Sequence, residues 1–273
     1  MRWPERRVAM LQEMGIRLWL PPAADLAKEV AKDPAEDRAA APEPALPPPA
    51  AKVAAPAAPV APVPAPRAAP AVVQGQGPRP EGVAQMDWPA LRAAVAGCTA
   101  CGLCRGRQNT VFGVGNERAH WMLVGEAPGQ QEDLQGEPFV GKAGQLLDNM
   151  LRAVGLLRAE AAPEQQVFIA NVLKCRPPGN RNPEPAEVAQ CEPFLKRQVA
   201  LVQPRIILAM GRFAVQSLLQ TQDPIGRLRG RVHTYEGVPL IVTYHPAYLL
   251  RNPLDKARSW EDLCLAREVM QRV

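Results

Sequence analysis

The run Trp121-Met-Leu-Val-Gly-Glu-Ala-Pro-Gly129 decides the fold. Four consecutive apolar residues end in a turn rich in Gly and Pro, the pattern of a strand buried on both faces that stops near residue 125. Three further short apolar runs follow: Val167 to Ala170, Arg205 to Ala209, and Pro239 to Thr243. Helical patterns separate them. Gly144 to Val154 puts Leu146, Leu147, Met150, Leu151 and Val154 on one face. Pro185 to Val202 begins with Glu184 and Pro185, which suit a helix start. Phe213 to Leu219 and Trp260 to Val273 complete the set. Continuous apolar strands alternating with helices predict an α/β fold whose parallel sheet is covered on both faces.

In such sheets the working site lies at the carboxyl ends of the strands. The first run ends at Gly125-Glu126-Ala127, the second at Asn171, the third at Gly211, and the fourth at Tyr244-His245-Pro246. A carboxylate, an amide and an imidazole therefore meet on one edge.

Upstream the composition changes. Residues 39–80 hold 13 of the 31 prolines, too many for helix or sheet to propagate. This predicts an extended tether over residues 34–85, with residues 1–33 a short separate segment and residues 86–273 the globular domain. Between Arg6 and Leu20, Val8, Leu11 and Met14 have helical spacing, and Ile16, Leu18 and Trp19 follow. A segment that small cannot bury these residues alone, so residues 6–20 read as a docking peptide. With Lys+Arg 32 against Asp+Glu 27, the net charge of +5 permits an anionic partner without demanding one. No apolar stretch is long enough for a membrane span, and no secretory signal is visible. The expectation is a cytoplasmic, nucleoid-associated monomer with reduced thiols.

The cysteines cluster. Cys98 and Cys101 form a C-x2-C pair that Cys104 extends, and Cys175 and Cys191 lie downstream, 16 residues apart. Thiolates in fours bind zinc or an iron–sulfur cluster, and spacing alone leaves both open. Cys264, alone on the last helix, reads as a core residue.

Read in order, Cys98-x2-Cys101, Gly125-Glu126-Ala127-Pro128-Gly129 with Glu132-Asp133, Pro138-Phe139-Val140-Gly141-Lys142-Ala143-Gly144, Asn171-x2-Lys174-Cys175-Arg176-Pro177 and His245-Pro246-Ala247-Tyr248-Leu249-Leu250-Arg251 closely resemble the iron–sulfur family 4 uracil-DNA glycosylases. The resemblance covers residues 86–273. It implies a three-layer α/β/α fold around a four-stranded parallel sheet, and a [4Fe-4S] cluster on Cys98, Cys101, Cys175 and Cys191 with Cys104 a bystander. It also implies a base excision repair enzyme that hydrolyses the N-glycosidic bond of deoxyuridine in uracil-containing DNA.

The residues suit that chemistry. A flipped base needs an apolar face, which falls to Phe139. The Asn171 amide matches the N3–H donor and O4 acceptor of uracil and mismatches cytosine. His245 donates to uracil O2 as negative charge builds there. Glu126 steadies the sugar cation and positions water. The best-known uracil-DNA glycosylases carry G-Q-D-P-Y-H here, with Asp as the carboxylate. Ala127 takes that place in this chain, which leaves the task to Glu126. Glu132 lines the pocket against the thymine methyl. Leu249 is the expected wedge into the emptied stack, and Lys142, Arg229 and Arg251, with Arg227 and Arg231, are the expected phosphate contacts. The loop from Arg176 to Pro183 holds no His, so turnover is expected without covalent trapping of DNA. A non-catalytic iron–sulfur DNA-binding module serving replication is the alternative, and a zinc-bearing structural protein a third. The Arg6–Leu20 pattern is similar to the N-terminal peptide of the psi subunit of the bacterial clamp loader, which implies a replication protein as partner.

Overall fold

The structure is a computed structural model that describes residues 77–272 together with Glu13. The docking peptide, apart from Glu13, and the tether up to residue 76 lie outside the described residues. Six strands form one sheet: β1 (Val114–Gly115), β2 (Trp121–Gly125), β3 (Val167–Asn171), β4 (Ile206–Met210), β5 (Val232–Tyr235) and β6 (Val238–Thr243). Their order is β1-β3-β2-β4-β6-β5. The four expected runs are the parallel centre, β3-β2-β4-β6, with Leu123 opposite both Ile169 and Leu208. The expected four-stranded sheet is therefore corrected to six. Two antiparallel edge strands, β1 on β3 and β5 on β6, close its flanks. Both edges escape the apolar-run signal because β1 has two residues and β5 is mostly exposed.

Eight α-helices accompany the sheet among the described residues: α1 (Trp88–Ala96), α2 (Gln130–Gln135), α3 (Gly141–Ala153), α4 (Pro185–Val202), α5 (Arg212–Leu219), α6 (Ile225–Leu228), α7 (Pro246–Arg251) and α8 (Lys256–Met270). Alternation along the central strands divides the core. Met122, Val124, Phe168, Ala170, Ile207 and Val242 face α1, α4 and α5. Leu123, Ile169, Leu208 and Ile241 face α3, α7 and α8. This makes three layers. Helix α4 starts with a capping box between Glu184 and Glu187, as the Glu-Pro start predicts. Parallel neighbours end at the same level, so Gly125, Asn171, Met210 and Thr243 release four loops on one edge.

Candidate active site

Those loops enclose a cavity of about 740 Å³. Glu126, Ala127, Asn171 and His245 line it from the strand ends, and Glu132, Phe139 and Arg251 line it from the helices and loop that follow. Its floor depends on Gly125. A Cβ there would lie 2.4 Å from Asn171 Oδ1 and 2.6 Å from Phe139 Cζ, so only glycine lets the amide and the ring approach one backbone. Asn171 itself is buried at the end of β3.

Phe139 sits with φ at 54°, in the left-handed region that a bulky side chain rarely occupies. Its surroundings impose this. Glu132 Oε1 accepts from the Val140 amide at 3.1 Å, and Arg158 donates to the Pro138 carbonyl at 2.9 Å. Gly144 leaves room for the Phe139 carbonyl, which a Cβ would meet at 1.8 Å. The ring is 5.2 Å from that of His245, the two planes 25° apart.

His245 caps α7. Its Nδ1 accepts from the Ala247 amide at 3.1 Å, so in the neutral ring the proton sits on Nε2. Burial, aided by the nearby Arg251 charge, pushes its pKa down to about 4. The ring is thus a neutral donor across the physiological range. Glu126 shows the opposite perturbation. Burial pushes its carboxyl up to about 7, against the pull of Arg212.

The cysteines gather behind this site. Cys98, Cys101, Cys104, Cys175 and Cys191 line one small cavity with Arg107 and Lys174. Arg107 Nη1 donates to Cys175 Sγ at 3.0 Å, and the Lys174 amide to Cys191 Sγ at 3.3 Å. Burial pushes the Cys175 thiol up to about 11 and the Cys191 thiol to about 12. Among the described residues no three His, Cys, Asp or Glu side chains form a group that could hold a metal ion; these sulfurs ring a space instead. Cys264 lies on α8, outside it.

A family model, the uracil DNA glycosylase superfamily, matches residues 112–266. The chain belongs to the uracil-DNA glycosylase superfamily. Within that superfamily its similarity is to the type-4 branch. A type-4 uracil-DNA glycosylase of Archaeoglobus fulgidus is 46% identical over 167 residues, covering 58% of this chain and 81% of the relative. Another from Pyrobaculum aerophilum is 39% identical over 190 residues, covering 66% and 93%. One from Thermotoga maritima is 42% identical over 163 residues, covering 59% and 82%. The superfamily span takes in Glu126, Asn171 and His245, the three polar groups at the ends of β2, β3 and β6.

Two expected DNA contacts of this glycosylase-superfamily chain are taken up inside the fold instead. Leu249 is fully buried in the core with Leu146 and Met150, so its place as the wedge is corrected. It falls on the inner face of α7, and the exposed leucines nearby are Leu250 and Leu254. Arg229 is also corrected. Its Nε and Nη2 fork onto Asp262, at 3.0 and 2.9 Å, Nη2 also donates to the Arg258 carbonyl, and the side chain is only 12% exposed, so its main work is internal. Lys142 is exposed on the first turn of α3 but does not line the cavity. Arg251 is exposed at the cavity. Sequence reasoning passed over Arg212, which follows the end of β4, lines the cavity and stacks over Phe213 at 4.4 Å. It also passed over Tyr244 and Tyr248, which stack beside the site. Position after a strand end was the available signal for Arg212 and Tyr244.

Proposed function

We propose that this chain removes uracil from DNA by hydrolysing the N-glycosidic bond and leaves an abasic site. The observation that carries the reading is the convergence of Asn171, the Nε2–H of His245 and the Glu126 carboxyl on one cavity in a chain of this superfamily. A uracil nucleotide turned out of the stack enters the cavity and lies against Phe139. The Asn171 amide accepts from N3–H and donates to O4, a pattern cytosine reverses. The neutral His245 donates to O2, where the departing base gathers negative charge. The ionised Glu126 faces the cationic sugar and orients water, with Ala127 beside it too small to compete. Glu132 braces the Phe139 segment and narrows the cavity at its side. Arg251, Lys142 and Arg212 supply exposed charge for phosphates, and Leu250 and Leu254 are the apolar side chains available to the gap in the stack.

Cys98, Cys101, Cys175 and Cys191 hold a [4Fe-4S] cluster in this reading. Four thiols around a space, attended by Arg107 and Lys174, suit the anionic charge of such a group. Bound there, it would supply a structural tie between the segment after α1, helix α4 and the loop after β3. Each of the four ligands is expected to be required for iron, whereas Cys104→Ser and Cys264→Ser retain it; iron per chain measures this. Residues 6–20 serve as a docking peptide for a replication protein, joined by the tether to the catalytic domain, which raises local concentration without new DNA contacts. The tether expected over residues 34–85 stops short of its predicted end, because Val83–Gln85 form a 3-10 turn with Val83 buried in the core.

The test is uracil release from a uracil-containing oligonucleotide. Asn171→Ala and His245→Ala should each slow it by about a hundredfold or more, the usual loss for one aimed hydrogen bond in a transition state. Folded variants with wild-type rates would refute the assignment.

A further inference from the structure

The five residues from Asn171 to Cys175 join the base-reading amide to the cysteine ring. A loop leaving the end of a strand normally turns its backbone groups to water. Here several are bound internally. The Val172 amide donates to the Gly125 carbonyl at 2.9 Å and the Leu173 amide to the Glu126 carbonyl at 3.0 Å. The Lys174 amide meets Cys191 Sγ, and the Lys174 carbonyl accepts from the Val111 amide at 2.8 Å. The Lys174 side chain reaches back to the Asn171 carbonyl: Nζ donates to Asn171 O at 2.7 Å and to Gln198 Oε1 at 2.6 Å. Gln198 is fully buried on α4, and its Nε2 donates to the Phe112 carbonyl at 2.9 Å.

Lys174 is 1% exposed. Burying an amine so completely is costly, and a Leu or Met would fill the volume at less expense. What neither could do is bridge two buried acceptors, one of them on the residue whose amide faces the cavity.

We propose that Lys174 is a positioning residue: it locks the Asn171 backbone to Gln198 and thereby aims the Asn171 amide at the base. This rests on the reading of Asn171 as the uracil-recognising group. Lys174 touches no substrate and acts through Asn171. A competing role, balancing the charge of the neighbouring sulfurs, would show as lost iron rather than as lost base recognition.

The experiment is a double-mutant cycle on the full chain, read by affinity for free uracil and by iron content. Lys174→Met that retains iron should bind uracil about tenfold more weakly, the scale of one buried hydrogen bond. In an Asn171→Ala background the same change should add almost nothing, because the two act as one unit. Gln198→Leu, which cuts the second anchor while keeping the amine, should follow the same non-additive pattern, and it decides the matter if Lys174→Met does not fold. Iron-replete Lys174→Met with wild-type affinity, or effects that multiply across the cycle, would overturn the proposal. So would loss of iron with full affinity in the protein that retains it. If the wild-type chain neither binds nor releases uracil, the functional reading itself fails, and this proposal with it.

Discussion

At the residue scale the site is built from opposed perturbations. Burial holds His245 neutral and makes Glu126 reluctant to ionise. Because the folded-state pKa of Glu126 is raised to about 7, the protonated form is the one the fold favours. That contribution to stability is complete below the ordinary carboxyl range and is lost as pH rises through about 7. Glu126→Gln should therefore melt at a higher temperature than the wild type above pH 7, and the gap should close toward pH 4. The rate should follow the reverse course. With Glu132, Arg181, Arg212, Tyr244, His245, Tyr248 and Arg251 facing the same cavity, kcat/KM of the wild type is expected to rise through about pH 7 as Glu126 ionises. Glu126→Gln should lack that limb. A wild-type profile flat between pH 5 and 8, with an unchanged melting difference, would separate Glu126 from both roles.

At the element scale, Arg229 and Arg251 show how a similar side chain takes different work from its surroundings. Arg229 is 12% exposed and ties the end of α6 to the fully buried Asp262 on α8, whereas Arg251 ends α7 in solvent. Arg229→Ala leaves a buried carboxylate without its partner and should cost about 3 kcal/mol of stability or more. Arg251→Ala should leave stability near the wild type and reduce the salt dependence of DNA binding by about one phosphate contact. Urea titration and salt-dependent affinity would distinguish them; an equal stability loss in both would not fit. This contrast also marks what the sequence made legible. The central strands and α4 were readable because each is set by local apolar pattern and a local cap. Glu126, Asn171 and His245 were readable because a strand end specifies a place in three dimensions. Leu249 and Arg229 were misplaced because their fates depend on distant partners, the α3 core face for one and Asp262, 33 residues away, for the other. Edge strand β5 pairs with β6 through the turn Glu236-Gly237, with φ at 47° and 79°, but its exposed residues gave no apolar run to follow.

At the scale of the whole molecule, one sheet positions both the cavity and the cysteine cluster. The ends of β2, β3 and β6 bring Glu126, Asn171 and His245 to the cavity, and the loop after β3 continues directly to Cys175. Helix α4 contributes Cys191 to the cysteine ring and Gln198 to the lysine bridge. The cysteines and the cavity thus share the end of β3, and the cavity is where the proposed uracil excision takes place. The most direct measurement of that excision is incubation of the purified full chain with oligonucleotides that differ only in carrying uracil, thymine or cytosine at one position, each sample then divided and half treated with alkali. A break is expected at the uracil position only, and only after alkali. A uracil strand that stays intact through alkali, a strand cut without it, or equal cutting at thymine or cytosine would contradict it.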